Sequence, residues 1–168
     1  MTGKNLMQTA LENKWVILLL CFLLVAAGCG LAAYWTETTV HTWYPGLNKS
    51  SLTPPDWVFA PVWTLLYILI AMAFWEVWLK KRWSPEAFPI YALFMIQFLF
   101  NVFWSALFFY LKRPDWALVD IIALWVSLAV TIYLFYHISK ISAWLLLPYF
   151  LWITFALYLN YQVVMLNQ

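Results

Sequence analysis

A five-span, all-α membrane bundle is the fold class that this sequence predicts, and three observations predict it. The 168 residues are 66% apolar, 21% aromatic and only 10% charged, too little polar surface to cover a soluble domain and too much hydrophobicity for a disordered chain. Five apolar stretches, 15–35, 57–79, 88–111, 116–137 and 143–166, stand between charged or proline-rich breaks. Each is about 20 residues or slightly more, enough at ~1.5 Å per residue to cross a hydrocarbon core of roughly 30 Å. The remainder is a loop, 36–56, and three short turns. The whole chain 1–168 therefore reads as one transmembrane domain, with no room for a separate soluble one.

The first span carries both cysteines, Cys21 and Cys29. They lie about 12 Å apart along a helix, too far for a disulfide, so they read as packing residues. Residues 25–29 resemble a lipoprotein cleavage site, but the apolar run starts only at Trp15 and continues past Cys29, as a full span does. Ala26 with Gly30, and Gly28 with Ala32, give small-xxx-small spacings that suit either an intrachain contact or a dimer seam.

The later spans open on residues that can cap a helix: Asp56 after Pro54 and Pro55, Ser84 before Pro85, Asp115 after Pro114, and Ser142 before Ala143. Trp15, Trp35, Trp57, Trp78 and Trp116 fall at span ends, where an indole can keep its ring among acyl chains and its N–H among headgroups. Pro61 and Pro148 sit near span starts, where a missing N–H bends a helix unless the proline belongs to its first turn. Lys4, Lys14, Lys80, Lys81, Arg82 and Lys140 collect on one face, against Lys49, Lys112 and Arg113 on the other. This asymmetry predicts a cytoplasmic N-terminus, with the long loop and the C-terminus outside.

Tryptophans in mid-span need partners inside the bundle. Trp63, Trp104 and Trp152 are such residues and are expected to point inward. They belong to stripes at helical spacing: Phe59, Trp63, Tyr67, Ile70 and Phe74 in the second span, Gln97, Asn101, Trp104, Ser105 and Phe108 in the third, and Tyr149, Trp152, Ala156 and Asn160 in the fifth. An aromatic stripe alone is commonly packing. The amides Gln97, Asn101 and Asn160, with Ser127 and Thr131 in the fourth span, mark interhelical hydrogen bonds or a ligand site. Asp120, about one turn inside its span, reads as a headgroup contact or a complement to the helix dipole, and Glu76 with Lys80 reads as a boundary ion pair.

Several functions are excluded or unsupported. A net charge of +2 without a basic stripe gives no reason to expect nucleic acid. No metalloprotease, nucleophile-elbow, P-loop or dinucleotide motif occurs, and His41 and His137 lack companions at metal-ligand spacing, so no metal is expected. His41 in the loop reads as solvated, with axial ligation of an iron porphyrin as the alternative. Neither a polar pore nor an acidic relay suggests a channel or proton-coupled transporter. Aromatic faces with a few amides suit a flat, largely apolar ligand.

Further motifs appear in order along the chain: Trp43-Tyr44, Leu47 and Lys49, then Pro54-Pro55-x-Trp57-Val58-Phe59-x-Pro61-Val62-Trp63 with Leu66-Tyr67. Asn101-x-x-Trp104, Trp116-Ala117-Leu118-Val119-Asp120 and Leu147-Pro148-Tyr149-x-x-Trp152-x-x-Phe155-Ala156 follow, closing on Leu159-Asn160-Tyr161. Together these resemble the tryptophan-rich sensory protein and translocator protein family, also called the peripheral-type benzodiazepine receptor family. The resemblance implies a five-helix bundle, often a homodimer, that binds porphyrins such as protoporphyrin IX and haem, sterols in some members, and synthetic isoquinoline carboxamides and benzodiazepines. It implies a pocket beneath the first loop, formed by Trp43, by Phe59, Ala60, Trp63 and Tyr67, by Asn101 and Trp104, by Trp116, and by Trp152, Ala156 and Leu159.

The chain departs from the family at Lys49-Ser50-Ser51-Leu52, where many relatives read Lys-Pro-x-Trp, and after Tyr161, where no basic residue completes the proposed sterol motif. Its third span lacks a clear small-xxx-small pair for a dimer interface. The expected function is a receptor or carrier, in the bacterial cell membrane, for porphyrin-like ligands in tetrapyrrole handling or stress signalling, without an obligatory cofactor. The first alternative is light-dependent porphyrin degradation, with Trp63 and Trp152 as electron donors or radical quenchers beside the ligand. Sterol or lipid transport, or a structural scaffold, is the second.

Overall fold

The computed structural model describes residues 13–168. Five long helices account for most of them: α1 Lys14–Glu37, α2 Phe59–Lys81, α3 Phe88–Ser105, α4 Pro114–Ile138 and α5 Lys140–Leu166. Short 3-10 turns at Asp56–Val58 and Pro85–Ala87 lead into α2 and α3, and a π-turn, Ala106–Tyr110, extends α3. With these extensions all five elements are long and apolar enough to cross a membrane. The helices run beyond several stretches drawn from hydropathy, because a helix need not stop where hydrocarbon does. Charged ends such as Lys14, Lys81 and Lys140 continue the backbone ladder into the headgroup zone. Lys4, counted in the charge asymmetry, lies outside the described residues.

The expected side-chain caps do not form. Asn13 accepts from the Trp15 backbone N–H at the start of α1, whereas no side-chain cap bond is made at the entrances to α2 through α5. Pro85 and Pro114 occupy first-turn positions instead, where a missing N–H removes a donor that would otherwise lack a partner. Ser142 lies inside α5, which starts earlier than hydropathy suggests, and the Ser139 hydroxyl donates to Glu76 Oε1 across to α2 at 3.1 Å. The Glu76–Lys80 pair is present at 3.5 Å.

The helices close into a ring in which α1 packs on α2 and α3, α2 on α5, α5 on α4, and α4 on α3. Its interior is filled largely by Ile70, Phe94, Phe98, Leu124, Leu128, Phe135, Leu146 and Tyr149. Phe74 stacks on Phe94 with centroids 4.4 Å apart, and Phe94 is near-parallel to Phe98 and Phe135. Pro61 lies in the first turn of α2, whereas Pro148 lies within α5.

Two end-of-span readings need correction. Trp78 is only 2% exposed, because α2 continues to Lys81 and the Trp83 ring packs edge-on at 6.2 Å. Trp15, Trp57 and Trp116 are exposed as expected of membrane-boundary indoles, while Trp35 stacks on Phe103. Asp120 faces inward at 9% exposure, with Oδ2 unpartnered among the described residues, rather than outward to headgroups. Since α4 begins at Pro114, Asp120 falls in its second turn, on the buried stripe that includes Ala117 and Leu124.

Of the two small-residue pairs in α1, Gly28 serves an intrachain contact. A Cβ there would sit 2.6 Å from Phe98 Cζ and 3.0 Å from Val102 Cγ2 of α3, whereas nothing lies within 4 Å at Gly30. Gly28→Ala should therefore lower the thermal unfolding midpoint in detergent. Overpacking costs roughly 1–3 kcal/mol, more than the ~1 kcal/mol gained in helix propensity. Adding Phe98→Leu should recover part of the loss. An unchanged midpoint for Gly28→Ala would show that α1 is free to move away from α3.

Candidate ligand pocket

Two aromatic clusters lie near the end of the bundle that carries the long loop. The first joins α2 to α5. Trp63 stacks on Tyr67 at 5.3 Å, meets Tyr149 at 6.3 Å, and stands nearly perpendicular to Trp152 at 6.5 Å. Phe59 packs edge-on against the other side of Trp152 at 5.9 Å. Helical spacing produces this wall: Phe59, Trp63 and Tyr67 lie one turn apart on α2, facing Tyr149 and Trp152 on α5.

Asn101 adds a polar group. The buried Tyr67 hydroxyl donates to Asn101 Oδ1 at 3.1 Å, bridging α2 and α3 across the ring's interior. The Tyr149 hydroxyl is fully buried beside Asn101, and both polar atoms of the Gln97 amide are buried with no hydrogen-bond partner among the described residues. A buried amide left without a partner costs roughly 1–3 kcal/mol per group. The indole N–H groups of Trp63 and Trp152 likewise make no hydrogen bond among the described residues. This region therefore combines ring faces with available donors and acceptors.

The second cluster joins the loop to α3. Trp104 stacks on Phe108 at 4.9 Å, Trp43 meets Phe108 at 5.9 Å, and Tyr44 meets Phe109 at 5.6 Å. The π-turn brings both Phe108 and Phe109 into buried positions. The buried Thr39 hydroxyl donates to the Phe109 carbonyl at 2.9 Å, fastening the start of the loop to that turn. Farther along, the Asn48 backbone N–H donates to Asn167 Oδ1, and Asn167 Nδ2 returns a bond to the Asn48 carbonyl, both at 2.9 Å. Lys49 donates to the Tyr44 carbonyl at 3.0 Å and lies over the Tyr44 ring at 4.3 Å. Burial, helped by the Asp56 charge, holds the Tyr44 hydroxyl above its ordinary pKa.

Trp104 is also anchored from α5: its indole N–H donates to Asn160 Oδ1 at 2.9 Å, and Asn160 Nδ2 donates to the Pro114 carbonyl at 2.9 Å. The structure thus brings Phe59, Trp63, Tyr67 and Trp152 into one cluster, with Asn101 attached through Tyr67. It places Trp43 and Trp104 in the other, both against Phe108. Ala156 packs against the main core, Leu159 is half-buried, and Ala60 is exposed on the opening turn of α2. Trp116 is 59% exposed, with the Arg113 guanidinium 5.6 Å from its ring, and makes no aromatic contact with either cluster. His41 lies on the surface, 3.6 Å from Glu37.

Thr39, Phe109 and the Asn48–Asn167 clasp were not expected from the sequence, while Tyr149, expected in the fifth-span stripe but not among the pocket residues, joins the wall through Trp63. The clasp joins residues 119 apart and leaves no periodic signal.

The comparisons agree with this architecture. The TspO/MBR family matches residues 18–166. A tryptophan-rich protein TspO of Archaeoglobus fulgidus is 42% identical over 153 residues, covering 90% of this chain and 98% of the relative. One from Chlorobaculum tepidum is 38% identical, covering 92% and 99%, and the Homo sapiens translocator protein is 33% identical, covering 89% of each. With five apolar helices in the expected order and a family match across nearly all of the chain, this multi-pass membrane protein belongs to the TspO/MBR family.

Proposed function

We propose that the protein is a membrane receptor or carrier for protoporphyrin IX, haem and related flat hydrophobic ligands, bound among the helices beneath the long loop. The observation that carries this reading is the Phe59, Trp63, Tyr67 and Trp152 cluster beside a buried amide. Ring faces supply stacking area, while Asn101 and the indole N–H groups orient polar atoms of the ligand. Because the rings touch one another, admission of a flat molecule requires them to part, and the pinned loop controls that step. Trp43 contributes from the loop, Trp104 from α3, and Ala60, Ala156 and Leu159 complete the apolar wall. Trp116 joins only by approach of the α4 entrance. The proposed orientation keeps the N-terminus in the cytoplasm: among the described residues Lys14, Lys80, Lys81, Arg82 and Lys140 collect at one end, against Lys49, Lys112 and Arg113 at the other.

A second reading is light-dependent breakdown of the bound porphyrin. It is favoured by the edge-to-face pair of Trp63 and Trp152, two oxidisable indoles 6.5 Å apart in the same wall. There the ligand supplies the photochemistry, and the two side chains are the adjacent electron donors.

A dark equilibrium titration of the detergent-purified protein with protoporphyrin IX should show saturable tryptophan quenching that an isoquinoline carboxamide competes away. Non-saturable partitioning, matched by an unrelated membrane protein, would remove the receptor reading. Trp152→Phe should weaken dark binding about fivefold, in line with the ~0.5–1.5 kcal/mol of an aromatic pair. If binding is retained while loss of porphyrin absorbance under illumination slows, the photochemical reading gains. Asn167→Ala, which removes both bonds to Asn48, should speed ligand dissociation in stopped-flow measurements roughly fivefold, as expected for about 1 kcal/mol of lost hydrogen bonding. An unchanged rate would separate the loop from the gate.

A further inference from the structure

The opposite end of the bundle contains a differently built corner. A groove of about 150 Å³ opens between α1 and the α2–α3 hairpin, lined by Ile17, Leu20, Leu24, Phe74 and Trp78 among others. A second hollow of about 460 Å³ is lined by Trp83, Ser84, Pro85, Phe88 and Tyr91. Trp83 and Tyr91 border both, so the two form lobes of one surface, one apolar and running along the helices, the other at the turn between α2 and α3.

Two polar atoms at this corner have no hydrogen-bond partner among the described residues. Trp78 Nε1 is buried without an acceptor on a side chain that is 2% exposed and lines the groove, and Ser84 Oγ is buried without a partner in the second lobe. A buried donor left without an acceptor carries the full desolvation cost of that group. This end of the bundle is cationic: among the described residues Lys14, Lys80, Lys81, Arg82 and Lys140 outnumber Glu76 and Glu86, and Lys81, Arg82 and Glu86 flank the turn that forms the second lobe. Lys80 is paired with Glu76 at 3.5 Å and Lys81 more loosely with Glu86 at 3.9 Å. The Arg82 guanidinium lies 5.8 Å from the Trp78 ring centroid, and the Arg82 carbonyl accepts from the Tyr91 hydroxyl at 2.7 Å.

We propose that this corner binds one anionic phospholipid, its phosphate held by Arg82, Lys81 and the Ser84 hydroxyl and one acyl chain lying in the groove beneath Trp78. The groove's apolar lining accounts for the chain, and the Trp78 N–H gives an ester oxygen a donor. The cationic excess selects a headgroup with net negative charge, because a zwitterionic headgroup brings its own ammonium to an end already rich in them. The groove runs about 10 Å from Ile17 to Leu24 at helical rise, room for part of one acyl chain.

The test is native mass spectrometry of the full chain released from detergent with phosphatidylglycerol or phosphatidylcholine of identical acyl composition. The phosphatidylglycerol adduct should be retained preferentially. Lys81→Gln and Arg82→Gln should each reduce that preference about fivefold, the effect of one cation near a membrane surface. Ser84→Ala, too small a change to disturb folding, should reduce it by a lesser factor, whereas the double change Lys112→Gln with Arg113→Gln at the other end should leave it intact. Equal retention of the two lipids, no response to Lys81→Gln and Arg82→Gln, or an equal response to the far-end changes would overturn the proposal. Displacement of phosphatidylglycerol by equimolar inorganic phosphate would also overturn it, since that marks a site for a free anion instead of a lipid.

Discussion

The geometry of the loop end depends on one amide. Asn160 accepts from the Trp104 indole and donates to the Pro114 carbonyl, so a single α5 side chain fixes an α3 ring and the first residue of α4. Inside a membrane these groups have no water to turn to, and each bond satisfies a group that would otherwise be stranded. Trp104 then presents a fixed face to Phe108, and Phe108 in turn supports Trp43 and Tyr44 of the loop. The seat of the loop is thereby traced to a hydrogen bond on the final helix.

The same constraint explains why the bundle was legible from composition. A helix is the one open-ended element that satisfies its own backbone in hydrocarbon, so five apolar runs become five helices without competing strands. Mid-span tryptophans were legible for a related reason: Trp63, Trp104 and Trp152 carry N–H groups that are costly to face toward lipid, and all three pack against the core. The residues that this logic misplaced lie near boundaries. Trp78 and Asp120 sit where water, headgroups and protein are all within reach, and a shift of one helical turn in the helix end decides among them.

The caps failed for a different reason. Capping signatures come from helices that begin in water, where the first amides compete for solvent. Here the entrances to α2, α3 and α4 are made by tight turns and prolines, and the Ser139 hydroxyl at the start of α5 serves Glu76 instead of its own helix. The contacts that shape the candidate pocket were partly legible, because Phe59, Trp63 and Tyr67 follow helical spacing. Its closure was not. Thr39 with Phe109 and Asn48 with Asn167 are pairings distant in sequence, and no periodicity encodes which loop atom meets which helix end.

The π-turn at Ala106–Tyr110 carries a further implication for how such a chain tolerates change. A wide turn holds one more residue than the α-helix would need over the same rise, and that surplus aims the Phe109 carbonyl at Thr39. The position of the loop is consequently encoded in the count of residues as much as in their identity. Side chains in this segment can drift among aromatics of similar size, while a single deletion would rotate everything that follows by about 100° on the helical wheel. Length here behaves as a phase, set once between the third helix and the fourth.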